Sequence, residues 1–172
     1  VSLPFFSLMT FLIAVPTGVK MFNWVATLFK GKLSFTTAML FAVGFLSMFL
    51  IGGINGAFLA SVPVDYHVHA TYWIVAHIHY VLFGGSVMGV FAGIYYWFPK
   101  MFGRMLDEGL GKLQFVLMFI GFNLTFFPMH LLGTDGMARR IADYSATAGW
   151  NDLNLLATIG GFTIAAATLP FL

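Results

Sequence analysis

An all-α integral membrane fold with five transmembrane helices is predicted by three observations. The 172-residue chain is 60% hydrophobic and only 8% charged, outside the range of a soluble domain. Its apolar residues form runs long enough to span a bilayer, which takes about 20 residues at about 1.5 Å each. The short connections between the runs carry the Gly, Pro, Asp and Lys that end apolar helices. With no Cys, the chain has neither a disulfide framework nor a thiolate metal site, so a metal would be held by His, carboxylate or backbone oxygen. A net charge of +2 gives no basis for a nucleic-acid partner.

The spans fall roughly at 1–28, 36–60, 71–98, 112–132 and 153–172. The first contains Pro16, Thr17 and Lys20 in VPTGVK. Lys20 lies roughly 15 Å from the end of its span, too deep for easy snorkelling, so it is expected to face protein or water. Thr17 is one turn away on the same face, and Pro16 removes a backbone donor beside it. A hydroxyl next to a buried ammonium can relay a proton; a lysine reaching headgroups through a thinned bilayer is the alternative.

The second span leads through SVPVDYHVHA, which has no Lys or Arg, into the third. That span carries WIVAHIHYVLFGG. On a helix, two residues turn the side chain by about 200° and advance it about 3 Å, so His77 and His79 point to nearly opposite sides at one depth. They cannot share a metal, and an unpaired polar group in lipid costs several kcal/mol. Each imidazole therefore either bonds to a neighbouring helix or ligates its own haem iron. Two haems, one on each side of the helix, fit the geometry.

Lys30, Lys32, Lys100, Arg104 and Lys112 lie in or beside the first and third connections, which places those two on the cytoplasmic side. Arg139 and Arg140, in the fourth connection, fall on the outer side and need a reason. Either Asp135 and Asp143 neutralise them, or their guanidiniums grip carboxylates of a bound ligand. The histidines lie about 10–15 Å below the same surface, so propionates of haems held there would approach the arginines. The last span closes on PFL, and Val1 opens without Met or a basic flank; both suggest a piece of a longer polypeptide.

VPTGVKMFNW, VHATYWIVAHIHYVLFGG, YYWFPKMFGRMLDE and NLTFFPMHLLGTDGMARRIADY, in this order and spacing, closely resemble the second half of subunit I of the haem-copper terminal oxidases. The resemblance covers essentially all of residues 1–172, which look like one transmembrane region, helices eight to twelve of that family's twelve. It implies that His77 is the axial ligand of the high-spin haem at the oxygen-reducing centre and His79 an axial ligand of the low-spin haem. Arg139 and Arg140 would bond the haem propionates, and Thr17 and Lys20 would belong to a proton channel from the cytoplasm. His69 matches a magnesium ligand of the cytochrome c oxidases, but Ala70 stands where the family has an aspartate, so a weakened or absent magnesium site is expected. His67 has no counterpart, and His130 would make a polar contact near the propionates.

The family's copper, opposite the high-spin haem, is held by histidines of the sixth and seventh helices, outside this chain, so the chain alone is not expected to reduce oxygen. The whole subunit, with subunits II and III in the bilayer, would pass electrons from the low-spin haem to the oxygen site and reduce O2 to water with proton pumping. The resemblance leaves the haem type open. Ala70 favours quinol as donor, whereas Tyr80 and the wider VDYHVHATYWIVAHIHYV motif favour cytochrome c, which we expect. A nitric oxide reductase, against which Lys20 speaks, and a di-haem electron-transfer cytochrome are the alternatives. A bacterial plasma membrane is expected rather than the mitochondrial inner membrane.

Overall fold

The structure, a computed structural model, describes residues 2–172; Val1, the expected first residue of the first span, lies outside them. Among the described residues, five helical stretches are long and apolar enough to cross a membrane. They are α1 (Ser2–Leu28), α2 (Thr37–Ala60), a third crossing from Tyr72 to Phe102, α6 (Glu108–Thr134), and α7 (Asn151–Ala167) with a closing 3₁₀ turn (Leu169–Phe171). The third crossing comprises α4 (Tyr72–Val81), a π-helical segment (Leu82–Val87) and α5 (Met88–Phe102). These are the expected spans, with two lengthened where the sequence suggested loop. α5 runs through Pro99 until Gly103, at φ 68°, takes the left-handed position that ends the helix and donates its N–H to Pro99 O at 2.9 Å. α6 begins early because Asp107 Oδ1 accepts the Leu110 N–H at 2.7 Å. The second connection is also partly helical: Pro63 sits in the first turn of α3 (Val62–Val68), where a missing N–H costs nothing.

Lipid tails are as apolar as leucine, so these helices associate through close packing and buried polar bonds rather than through escape from water. α6 is central and carries the longest buried face. Against α7 its backbone comes very close: a Cβ on Gly160 would lie 2.5 Å from Thr125 N, and one on Gly121 2.9 Å from Ile164 N. Phe41 and Met48 of α2, Tyr80 of α4, Met88 of α5, and Met118 and Phe122 of α6 fill the interior. α1 is peripheral, with no buried residue. It leans on α2 through the Ser7 hydroxyl, which donates to Ala60 O at 2.6 Å, and through Trp24 edge-on to Phe45 at 5.0 Å.

Polar contacts pair the connections as the charge pattern suggested. At one end, the N–H and hydroxyl of Thr37 both donate to Glu108 Oε2 at 2.9 Å, joining the first connection to the third. At the other, the Tyr72 N–H reaches Met137 O at 2.9 Å and the Arg139 N–H reaches Ala70 O at 3.0 Å, around an antiparallel bridge between Thr71 and Ala138. The loop bearing the arginines is thus fastened to the start of the histidine helix.

Candidate functional site

The site is built on α4. Thr71 opens it: its hydroxyl donates to Val68 O at 2.6 Å and accepts the Trp73 N–H at 3.3 Å. His77 faces α2, where its Nδ1 lies 3.0 Å from Gly52 O and 2.7 Å from Asn55 Oδ1. His79 faces α6: its ring stacks on Phe126, centroids 4.1 Å apart and planes 14° apart, and its Nδ1 lies 2.7 Å from Val75 O. The two imidazoles point to different sides, as their spacing predicts.

A carbonyl oxygen only accepts, so Gly52 and Val75 require the proton of each neutral imidazole to sit on Nδ1. The Nε2 lone pairs are then available, and among the described residues neither Nε2 makes a hydrogen bond. A ligating histidine has this arrangement: one nitrogen held by a carbonyl acceptor, the other free for metal. Bonding between helices accounts for one nitrogen of His77 and for neither of His79, whose bond is to its own helix. The donor set therefore fits two haems, each taking one imidazole.

Sequence reasoning missed Asn55, the buried carboxamide between His77 and His130. Its Nδ2 lies 2.7 Å from His130 Nε2. A lone Asn inside LIGGINGAFLA was the available signal, since a carboxamide in a span is unfavourable without partners. His130 is buried, edge-on to Trp73 at 5.0 Å, and its Nδ1, like Trp73 Nε1, has no partner among the described residues. The polar partner that the structure gives His130 is Asn55, an intramembrane carboxamide. Tyr80, directly after His79, is fully buried and donates to Asn123 Oδ1 at 2.8 Å.

Arg139 is half-buried and Arg140 exposed in a left-handed conformation, φ 64°. Among the described residues neither is ion-paired: the sole such contact is His69 with Asp65, 3.3 Å apart. Asp143 instead accepts the Tyr144 N–H at 2.8 Å. The neutralising role considered for Asp135 and Asp143 is therefore not seen. No group of three His, Cys, Asp or Glu side chains among the described residues is disposed to hold a metal ion. His69, the residue matched to a magnesium ligand, lies within 3.3 Å of Asp65, one helical turn before it. Lys20 is exposed on α1, and the Thr17 hydroxyl donates to Ile13 O at 3.0 Å rather than meeting it.

The fold and site define a class: a multi-span helical membrane protein with two imidazoles on different faces of one helix, each held at Nδ1 with Nε2 free. The model of the family described as cytochrome c and quinol oxidase polypeptide I matches residues 1–163, and the chain belongs to that family. It is 59% identical over 167 residues to a cytochrome c oxidase subunit 1 of Synechocystis, covering 97% of this chain and 30% of the relative. It is 58% identical over 168 residues to the protein of that name from Thermostichus vulcanus, covering 98% and 30%. With a probable cytochrome c oxidase subunit 1-beta of Nocardia farcinica the identity is 56% over 171 residues, covering 99% and 29%. The chain thus spans about 30% of the length of these bacterial relatives.

Proposed function

We propose that the chain is part of the catalytic subunit of a respiratory haem-copper oxidase, which reduces O2 to water with proton translocation, and that His77 and His79 would each hold one of its two haems. The observation that carries this reading is the pair of imidazoles on α4, each with Nδ1 held by a carbonyl and Nε2 free, on different faces. Haem iron, when bound, would supply reversible one-electron transfer and oxygen binding.

The chain's own residues hold and orient. His77 serves the high-spin haem and His79 the low-spin haem; mounting both on one helix fixes the separation of the two groups. Gly52 and Val75 set the tautomers, and Phe126, stacked on His79, excludes water from that ring. Arg139 and Arg140, fastened to the corner before α4, bind the propionate carboxylates. Lys20 and Thr17 line proton uptake, with partners contributed by the rest of the subunit. The copper ligands, subunits II and III, and the surrounding lipid complete the complex.

Cytochrome c is the proposed donor. One observation favours quinol: position 70 offers no carboxylate, although its left-handed backbone, φ 58°, is one that Asp and Asn adopt more readily than Ala. Oxygen uptake by the whole complex with reduced cytochrome c and with a short-chain quinol separates the two; rapid uptake with quinol alone would overturn the choice. For the haems, His79→Ala in the full subunit should abolish the six-coordinate low-spin spectrum, and His77→Ala the signal of the oxygen-binding haem. Two normal haem spectra in both variants would refute the assignment.

A further inference from the structure

The Gly52 carbonyl fixes more than one proton. Because it forces the proton of His77 onto Nδ1, the Asn55 atom 2.7 Å away must be an acceptor, its Oδ1. The Asn55 amide Nδ2 then faces His130 Nε2 at 2.7 Å and donates to it. His130 therefore accepts at Nε2 and, when neutral, keeps its proton on Nδ1. All three side chains are fixed by one carbonyl, and a flipped carboxamide would put two donors against each other at His77. Asn55 is itself buried, 6% exposed, and an unsatisfied amide there would be strongly disfavoured. The polar chain His77–Asn55–His130 thus links α4, α2 and α6 inside the bundle.

We infer that Asn55 is a positioning residue for His77: its Oδ1 is a second acceptor on the Nδ1–H, orienting the imidazole and increasing electron donation from Nε2 to the metal it ligates. The inference rests on the reading of His77 as a haem ligand. A hydrogen bond drawn from Nδ1–H gives an imidazole part of the character of its anion, which makes Nε2 a stronger donor and favours the oxidised metal. At His77 the proton is shared between two acceptors, whereas the His79 Nδ1 has one, Val75 O. The two ligands of one helix are therefore electronically unequal, through a side chain that touches neither haem. Gly52 O remains when Asn55 is changed, so ligation persists and the effect is a shift, not a loss.

The test uses the purified complete oxidase with Asn55→Leu, close in shape but unable to accept or donate, and with Asn55→Asp. Asn55→Asp keeps an acceptor toward His77, and His130 can pair with it by moving its proton to Nε2. The readouts are the iron–histidine stretching band of the reduced high-spin haem by resonance Raman and the midpoint potentials of both haems. In Asn55→Leu the band should move to lower frequency and the high-spin potential upward, with turnover reduced roughly tenfold or more and the low-spin haem unchanged. Asn55→Asp should move band and potential in the opposite direction. An unmoved band in either variant, or equal shifts at both haems, overturns the inference while leaving the haem assignment standing. An iron–histidine band that survives His77→Ala removes the reading on which it rests. If Asn55→Leu does not assemble, Asn55→Asp decides alone.

Discussion

Replacing Gly56 by alanine puts a methyl carbon 2.7 Å from Cε1 of His77, with Nδ1 and Nε2 at 3.4 and 3.5 Å. Carbon atoms sit comfortably at about 3.5–4.0 Å, so the ring edge must retreat by roughly 0.8 Å. Withdrawing α2 instead would open the close-packed seam against α4, where a Cβ on Gly52 would lie only 3.0 Å from the backbone of Tyr80 and Val81. Nor can the ring swing freely, since Nδ1 is held by both Gly52 O and Asn55 Oδ1. Moving it away from α2 stretches the 3.0 Å bond to Gly52 beyond hydrogen-bonding range, a loss of about 1 kcal/mol. A misplacement of about 1 Å at a reacting centre is enough for a hundredfold loss of rate. In the complete oxidase, Gly56→Ala should therefore perturb the optical spectrum of the high-spin haem and cut oxygen uptake by about ten- to a hundredfold. The low-spin spectrum should survive, because His79 faces α6. Normal spectra with normal turnover, or a change confined to the low-spin haem, would refute the pinning of His77 between α2 and its ligand.

Three further outcomes are expected in the complete oxidase. Lys20→Met should slow reduction of the oxygen site in stopped-flow measurements while low-spin haem reduction stays nearly intact; unchanged steady-state turnover would remove Lys20 from proton uptake. Arg140→Ala should shift a haem midpoint potential, since it deletes a positive charge proposed to lie near a propionate, and potentials unmoved at both haems would leave the arginine as surface charge. Gly160→Val would drive a side chain into the Thr125 backbone, 2.5 Å from the added Cβ, so α6 and α7 must part. Overpacking of this kind costs about 1–3 kcal/mol, readable as a lower thermal midpoint of the solubilised complex; an unchanged midpoint would mean that the seam is not close-packed.

The spans were legible because bilayer solvent leaves a simple record: long apolar runs, punctuated connections and few charges. The divergence of His77 and His79 was legible for a similarly local reason, since a helix fixes the angle between residues two apart. What escaped the sequence depends on helix crossings. Asn55 meets His77 and His130 only because α2 passes α4 and α6 at one level, and nothing in LIGGINGAFLA names those partners. The sequence allowed the arginine pair to be neutralised by Asp135 and Asp143 or held for a ligand's carboxylates, and only the loop's path shows Asp143 bonded to the adjacent Tyr144 N–H. Thr17 and Lys20 share a face by spacing, yet the hydroxyl is satisfied by Ile13 O, a frequent fate of Thr within a helix. The helical stretches around Pro63, Pro99 and Asp107 were read as loop because Pro, Gly and Asp mark helix starts and stops as readily as turns.

For two imidazoles of one helix to serve as the proposed ligands, that helix must be fixed in depth, rotation and regularity, and α4 is fixed at both ends. Its start is fastened to the loop after α6 by the Tyr72 to Met137 and Arg139 to Ala70 bonds, which sets depth and brings the arginines to the same corner. Beyond its end the chain turns π-helical over Leu82–Val87. There Gly84 and Gly85 admit α2 side chains: an added Cβ would lie 2.6 Å from Met48 Cβ and 3.1 Å from Phe49 Cδ2 respectively. An extra residue in one turn re-phases everything downstream by about 100°, so α5 can present its own packing face without rotating α4. The irregularity falls after His79 rather than within WIVAHIHYV, whose backbone remains a regular α-helix. His77 and His79 keep the angular relation that their spacing dictates because the adjustment to neighbouring helices is absorbed by the glycines that follow them.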